Sequence, residues 1–197
     1  MKRGQITTIT VNGERIRAEY LGKGHFSTGY RVGDLVYLFT KDDPLKEATT
    51  HMSGVHVPIV KYVDYTSNRN GDEIEIYTMP YYENITAAHK TAWAIFRILT
   101  SLLRDSNTEI IQEQGWLKFN RKRDNYKVFA RLVEKAEQDN RIPDSVVDSL
   151  DRMYSWAINY GESVGIEMGK RNIGVDNEGN IIFRDVLYDA RRLVWLK

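Results

Sequence analysis

Two stretches of the chain carry residue types at spacings that could act on phosphate. The later one runs Gly165-Ile-Glu167-Met-Gly-Lys170-Arg-Asn172 and continues to Arg184-Asp185. It sets a carboxylate at the expected end of a helix, an amide five residues on, and a second carboxylate 13 residues after that. Asn172–Val175 and Ile181–Arg184 flank the turn residues Asn177-Glu-Gly-Asn180, so a hairpin is predicted that returns Asn172 and Asp185 to one edge. An amide oxygen and a carboxylate suit a hard cation such as Mg²⁺, with phosphates and waters filling its other positions. Glu167 could take or orient the proton of an attacking hydroxyl. The plainer alternative is a surface hairpin with ordinary decoration, in a chain that is 28% charged.

The earlier stretch is Gly22-Lys23-Gly24-His-Phe-Ser-Thr-Gly29-Tyr30. Glycines let backbone N–H groups approach phosphate oxygens without a Cβ in the way. The segment lies between two predicted strands and no helix follows it, so it is neither a dinucleotide-binding turn nor a Walker A loop. A Gly-rich β-turn with a bulge is its plain structural reading.

The elements around these stretches divide the chain. Ile6–Val11 and Arg15–Tyr20 flank Asn12-Gly13, the strongest short hairpin signal. Phe26–Val32 and Leu35–Thr40 flank Gly33-Asp34, and Ile59–Tyr65 and Glu73–Met79 flank a polar turn. Asp43-Pro44 opens a predicted short helix to Met52. After Pro80 long helices are expected over Thr86–Arg104, Asn125–Gln138 and Pro143–Tyr160, from apolar residues at three-to-four spacing. The expected fold is therefore α+β and bilobal. Residues 1–80 would form a small antiparallel β lobe, and residues 81–197 a mainly helical one.

Composition narrows the chemistry. The 197 residues include no Cys, which excludes thiol catalysis, disulfides, and Cys-ligated zinc or iron–sulfur centres, and fits a reducing, cytoplasmic setting. A formal charge of +1 gives no drive toward nucleic acid or an anionic membrane. The basic run Lys118–Arg123, with Trp116 and Phe119 interleaved, is read as a solvated loop that could dock an acidic protein. No apolar run suggests a membrane span or signal peptide. His25, His51, His56 and His89 lack metal-ligand spacing, and Trp93, Trp156 and Trp195 are expected in the core. Gly169 and Gly174 are expected to serve turns.

Taken together, the order strand, Gly loop, strand, short helix, long helix and Glu…Asn…Asp resembles a protein kinase. The spacings of five and 13 match those of that family's catalytic Asp, metal-binding Asn and magnesium-binding Asp. Leu21–Tyr30, LGKGHFSTGY, looks most like the Gly loop of the early protein kinases of short-tailed lytic phages. Thr78-Met79-Pro-Tyr81-Tyr-Glu-Asn84 looks like the hinge that meets adenine. The resemblance implies ATP and Mg²⁺ as cofactors and a host or phage protein as substrate or target. Gly22, Lys23, Gly24, Gly29, Met79 and Tyr81 would contact nucleotide, Asn172 and Asp185 metal, and Glu167 and Lys170 would serve catalysis.

Three departures bear on activity. Leu38 stands where the phosphate-pairing lysine is expected, so Glu47, the candidate partner, lacks its mate; Lys23 or Lys41 could supply the charge. Glu167 replaces the catalytic Asp and lengthens it by a methylene, and the usual His-Arg before it is absent. Asp185-Val-Leu replaces Asp-Phe-Gly, and with Lys197 as the last residue no activation segment or peptide-docking helices are expected after it. An active kinase and a pseudokinase that binds or inhibits a host protein both fit these features. Small-molecule phosphotransfer, as in the antibiotic kinases that share the fold, fits less well. Substrate, partner and oligomeric state have no signature in the sequence.

Overall fold

In a computed structural model, residues 1–23, 27–40, 52, 54–67, 70–115 and 120–189 are described. The predicted helix opening at Asp43-Pro44 falls outside them up to Ser53, Met52 excepted, as do Gly24, His25, Lys41, Glu47, His51, Trp116, Phe119 and Trp195. The chain forms two compact units, residues 1–53 with 58–81, and residues 54–57 with 82–197.

Among the described residues, the first unit is one antiparallel sheet of six strands. They are β1 (Ile6–Val11), β2 (Glu14–Lys23), β3 (Ser27–Val32), β4 (Leu35–Thr40), β5 (Lys61–Ser67) and β6 (Glu73–Pro80), in the order β1-β2-β3-β4-β6-β5. Asn12 and Gly13 have φ of 50° and 76°, the left-handed pair a two-residue hairpin needs, and Val11 duly faces Glu14. The sheet is curled: the Asn12 N–H at the β1–β2 turn donates to Asp64 Oδ2 on β5 at 2.6 Å. Alternation along the strands yields two apolar faces. One packs Ile9, Val11, Ala18 and Ile76 with Tyr30, Tyr37 and Phe39; the other packs Val36, Leu38, Val60, Tyr77 and Met79 with Leu21 and Tyr81. Ile76, fully buried, contributes roughly 1.5–3 kcal/mol through its side-chain burial.

Strands β2 and β5 differ most from expectation. β2 continues through Gly22 to Lys23 because a bulge between Tyr20 and Gly22 bends the strand without ending its pairing. β5 begins at Lys61 rather than Ile59 and likewise carries a bulge, between Tyr62 and Asp64.

Three helices dominate the second unit: α1 (Lys90–Gln114), α2 (Arg121–Gln138) and α3 (Asp144–Tyr160), with α2 packed against both others. α1 starts later than expected because Thr86–His89 forms a turn of its own, the His89 N–H donating to the Thr86 carbonyl at 3.1 Å. It also runs past Arg104, since buried Ile110 and Ile111 resume the apolar stripe. α2 starts before Asn125 because Asp124, fully buried, accepts the Asn120 N–H at 2.9 Å and pairs with Lys127 at the same distance. On the α1–α2 surface Glu109 meets Lys135 at 2.6 Å and Arg131 at 3.2 Å.

Five short strands complete this unit: β7 (Glu83–Asn84), β8 (Val164–Ile166), β9 (Ile173–Val175), β10 (Ile181–Phe183) and β11 (Leu187–Asp189). They form sheets ordered β10-β9-β7 and β11-β8. Residues 54–57 join this unit through His56. Its carbonyl accepts the Phe183 N–H at 2.9 Å, its Nδ1–H donates to the Ile181 carbonyl at 2.7 Å, and its Nε2 lies within hydrogen-bond distance of the Ser145 hydroxyl, at 2.9 Å. A carbonyl can only accept, so Nδ1 carries a proton. Among the described residues, no helix is long and apolar enough to cross a membrane.

Candidate active site

The candidate residues lie in both units. In the second, the expectation that Glu167 ends a helix is wrong: α3 stops at Tyr160, where the Gly161 N–H closes on the Ala157 carbonyl at 3.0 Å, and Glu167 follows β8. Ile166 pairs with Leu187, and the Glu167 N–H donates to the Val186 carbonyl at 2.6 Å. β8 is anchored by a close approach to α2. Asn125 Nδ2 donates to the Ser163 carbonyl at 3.2 Å, and a Cβ at Gly165 would lie 3.0 Å from Asn125.

The loop then turns back on itself. The Asn172 N–H donates to the Gly169 carbonyl at 2.8 Å, and Asn172 Nδ2 lies 3.5 Å from the Glu167 carbonyl. Glu167 Oε1 and Asn172 Nδ2 both flank Gly169, at 3.5 and 3.6 Å from where its Cβ would be. Those are ordinary contacts, so crowding does not require glycine at 169. The β9–β10 hairpin brings the chain home: the Arg184 and Asp185 N–H groups both donate to the Asn172 carbonyl, at 2.9 and 3.2 Å. Glu167 and Asp185 are exposed.

Lys170 is placed differently from a bare loop cation. Its Nζ lies 4.7 Å from the centroid of the Trp93 ring, within cation–π range. Trp93 is half-buried rather than core, and its other contact is Phe96 at 5.3 Å.

The first unit holds the remaining candidates. Gly22 sits at the β2 bulge with φ 152°, a backbone that favours glycine. Lys23 is exposed at the end of β2, opposite Thr28. Gly29 pairs with both Gly22 and Leu38, and its Cβ would lie 3.7 Å from Leu38. Leu38 is buried in the apolar cluster with Met79, while Tyr81 packs against that cluster. The Arg31 guanidinium lies 3.8 Å from the Tyr81 ring centroid, and the Tyr81 N–H donates to the Asp34 carbonyl at 2.7 Å. Leu21, Leu38, Met79 and Tyr81 thus pack together on one apolar face.

Sequence reasoning missed Arg184, whose guanidinium binds the Tyr82, Arg171 and Ile173 carbonyls. It also misjudged Gly174, which serves no turn. Gly174 lies within β9, and a Cβ there would fall 2.7 Å from Tyr82 Cβ and 2.9 Å from Arg184 Cδ. The pairing of a glycine in a β-prone run with an arginine ten residues on was the available signal. No protein-family model matches the chain, and no curated protein matches it either.

Proposed function

We propose that the chain is a protein-kinase-like phosphotransferase, related to the early kinases of short-tailed lytic phages, that moves the γ-phosphate of ATP to a Ser or Thr hydroxyl of a host or phage protein. The observation that carries this is the backbone bonding of one loop: Glu167 held to Val186, Asn172 to Gly169, and Asp185 to Asn172. These bonds support the reading because the three residues stand in the order and spacing that the resemblance assigns to acceptor-orienting and metal-holding groups.

Mg²⁺ fits the donor set. Asn172 offers an amide oxygen and Asp185 a carboxylate, both hard donors on residues bonded through their backbones. When bound, the ion would neutralise charge on the transferring phosphates. Asn172 and Asp185 would hold it, and Glu167 would accept the hydrogen bond of the attacking hydroxyl and aim its oxygen. Gly22 and Gly29 would cover the phosphates, Lys23 and Lys170 would contact them, and Met79 and Tyr81 would receive the base.

Buried Leu38 favours a second reading, a pseudokinase that binds or inhibits a host protein, because the apolar cluster around it offers no cation for the phosphates. Transfer of labelled γ-phosphate from Mg²⁺·ATP to the protein itself and to a host lysate separates the two. Label lost in both Glu167→Ala and Asp185→Ala supports the enzyme. No label above those variants, in folded protein, supports the binding module.

A further inference from the structure

Arg184 immediately precedes Asp185, and its guanidinium is turned into a cluster of oxygens from two segments. Nη1 donates to the Tyr82 carbonyl at 3.1 Å. Nη2 shares its hydrogens among the Ile173 carbonyl at 2.8 Å, Asn84 Oδ1 at 2.9 Å and the Arg171 carbonyl at 3.0 Å. Its backbone N–H donates to the Asn172 carbonyl. The carbonyls on both sides of Asn172 are therefore fixed by the residue next to Asp185. A planar fork of five donors can hold oxygens from several directions at once, which a lysine ammonium on a flexible stem does not reproduce. Gly174 keeps the space clear, since a Cβ there would lie 2.9 and 3.0 Å from Arg184 Cδ and Nε.

We propose that Arg184 is a positioning residue: it locks the Arg171–Ile173 backbone to Asp185 and to the Tyr82–Asn84 segment, so that Asn172 and Asp185 stand ready as a pair for a divalent cation. The inference rests on the reading of those two residues as cation ligands. Groups that orient metal ligands without touching the metal typically change affinity 10–100-fold when removed.

The test is Mn²⁺ binding by the full chain, followed by the loss of the free-ion electron paramagnetic resonance signal, well below the unfolding temperature. Wild type is expected to bind and Asp185→Ala to lose binding. Arg184→Met is expected to weaken Mn²⁺ affinity by about 10-fold or more. Arg184→Lys should not restore it. Asn84→Ala, which removes a single contact from an exposed side chain, should weaken it by a smaller factor. Wild-type affinity in Arg184→Met, alongside a dead Asp185→Ala, overturns the positioning role and leaves the cation site standing. Wild type that binds no Mn²⁺, or Asp185→Ala that binds as wild type does, removes the cation site and the inference together. Where Arg184→Met does not fold, Asn84→Ala decides, and an unchanged affinity overturns the role.

Discussion

Gly174→Ala probes how the loop is held, and its cost can be worked from distances. The new methyl would sit 2.7 Å from Tyr82 Cβ, 2.9 Å from Arg184 Cδ and 3.0 Å from Arg184 Nε. The Arg184 stem can swing, but Tyr82 Cβ moves only with its backbone, which Arg184 itself fixes through the Tyr82 carbonyl. Overpacking of this kind costs roughly 1–3 kcal/mol. Displacing the guanidinium also loosens hydrogen bonds worth about 0.5–1.5 kcal/mol each. Against this stands the gain of replacing glycine in a strand, roughly 0.5–1 kcal/mol. A net loss of about 2–4 kcal/mol is expected. For a chain of this size that lowers the unfolding midpoint by roughly 4–16 °C. Thermal unfolding of Gly174→Ala and Gly169→Ala measures it, the latter serving as control because its methyl would meet nothing closer than 3.5 Å. A cycle with Arg184→Ala should be non-additive, since truncation removes two of the three close contacts. Gly174→Ala as stable as Gly169→Ala would refute the steric reasoning, and strict additivity would refute the link to Arg184.

Burial pushes the His56 imidazole below its ordinary pKa, opposed by its bond to Ile181 and the charge of Asp176. Between that lowered value and the ordinary ~6.5 the unfolded chain binds more protons. Stability is therefore fully present above ~6.5 and drains as pH falls below it, and denaturant unfolding across that range should show this slope in wild type and a shallower one in His56→Gln. Lys23→Ala, at an exposed site, should change stability by no more than about 0.5 kcal/mol. On the phosphotransferase reading it should cut phosphate transfer by roughly tenfold, the worth of one charge-assisted contact; full transfer would leave the missing charge to another residue.

The larger elements were legible because periodicity and turn chemistry declare themselves. Asn12-Gly13 and Gly33-Asp34 marked their hairpins, and β4 matches its expected limits. The three helices showed in their apolar spacing, though their ends were set by contacts that spacing does not encode, such as Asn120 with Asp124. The three-residue strands β8 and β11 left no pattern: all of β8 is buried, so no alternation exists to read. That is why Glu167 was assigned to a helix end. Asn172 and Asp185 could be paired from the sequence because a hairpin between them fixes their return, and the Asn172 carbonyl receives the Asp185 N–H as that hairpin requires. Arg184 could not, since its partners Tyr82 and Asn84 lie a hundred residues away.

The candidate residues of the two units carry unequal chemistry. The loop from Glu167 to Asp185 is held by backbone hydrogen bonds and by the Arg184 side chain. The sheet face around Leu38 is apolar, and on the phosphotransferase reading that is where a phosphate-binding cation would be needed. A lysine placed at 38, buried among Val36, Val60, Tyr77 and Met79, would be driven toward its neutral form. Neutralisation of a bound triphosphate would therefore fall on the divalent ion and on Lys23 or Lys170, and Lys170 would first have to leave the Trp93 ring. On the phosphotransferase reading, nucleotide affinity is expected to depend more steeply on the divalent cation than where a buried lysine shares the charge. The same dependence serves a catalyst or a nucleotide-sensing binding module. What separates them is Glu167, which has a task only if a hydroxyl arrives to be aimed.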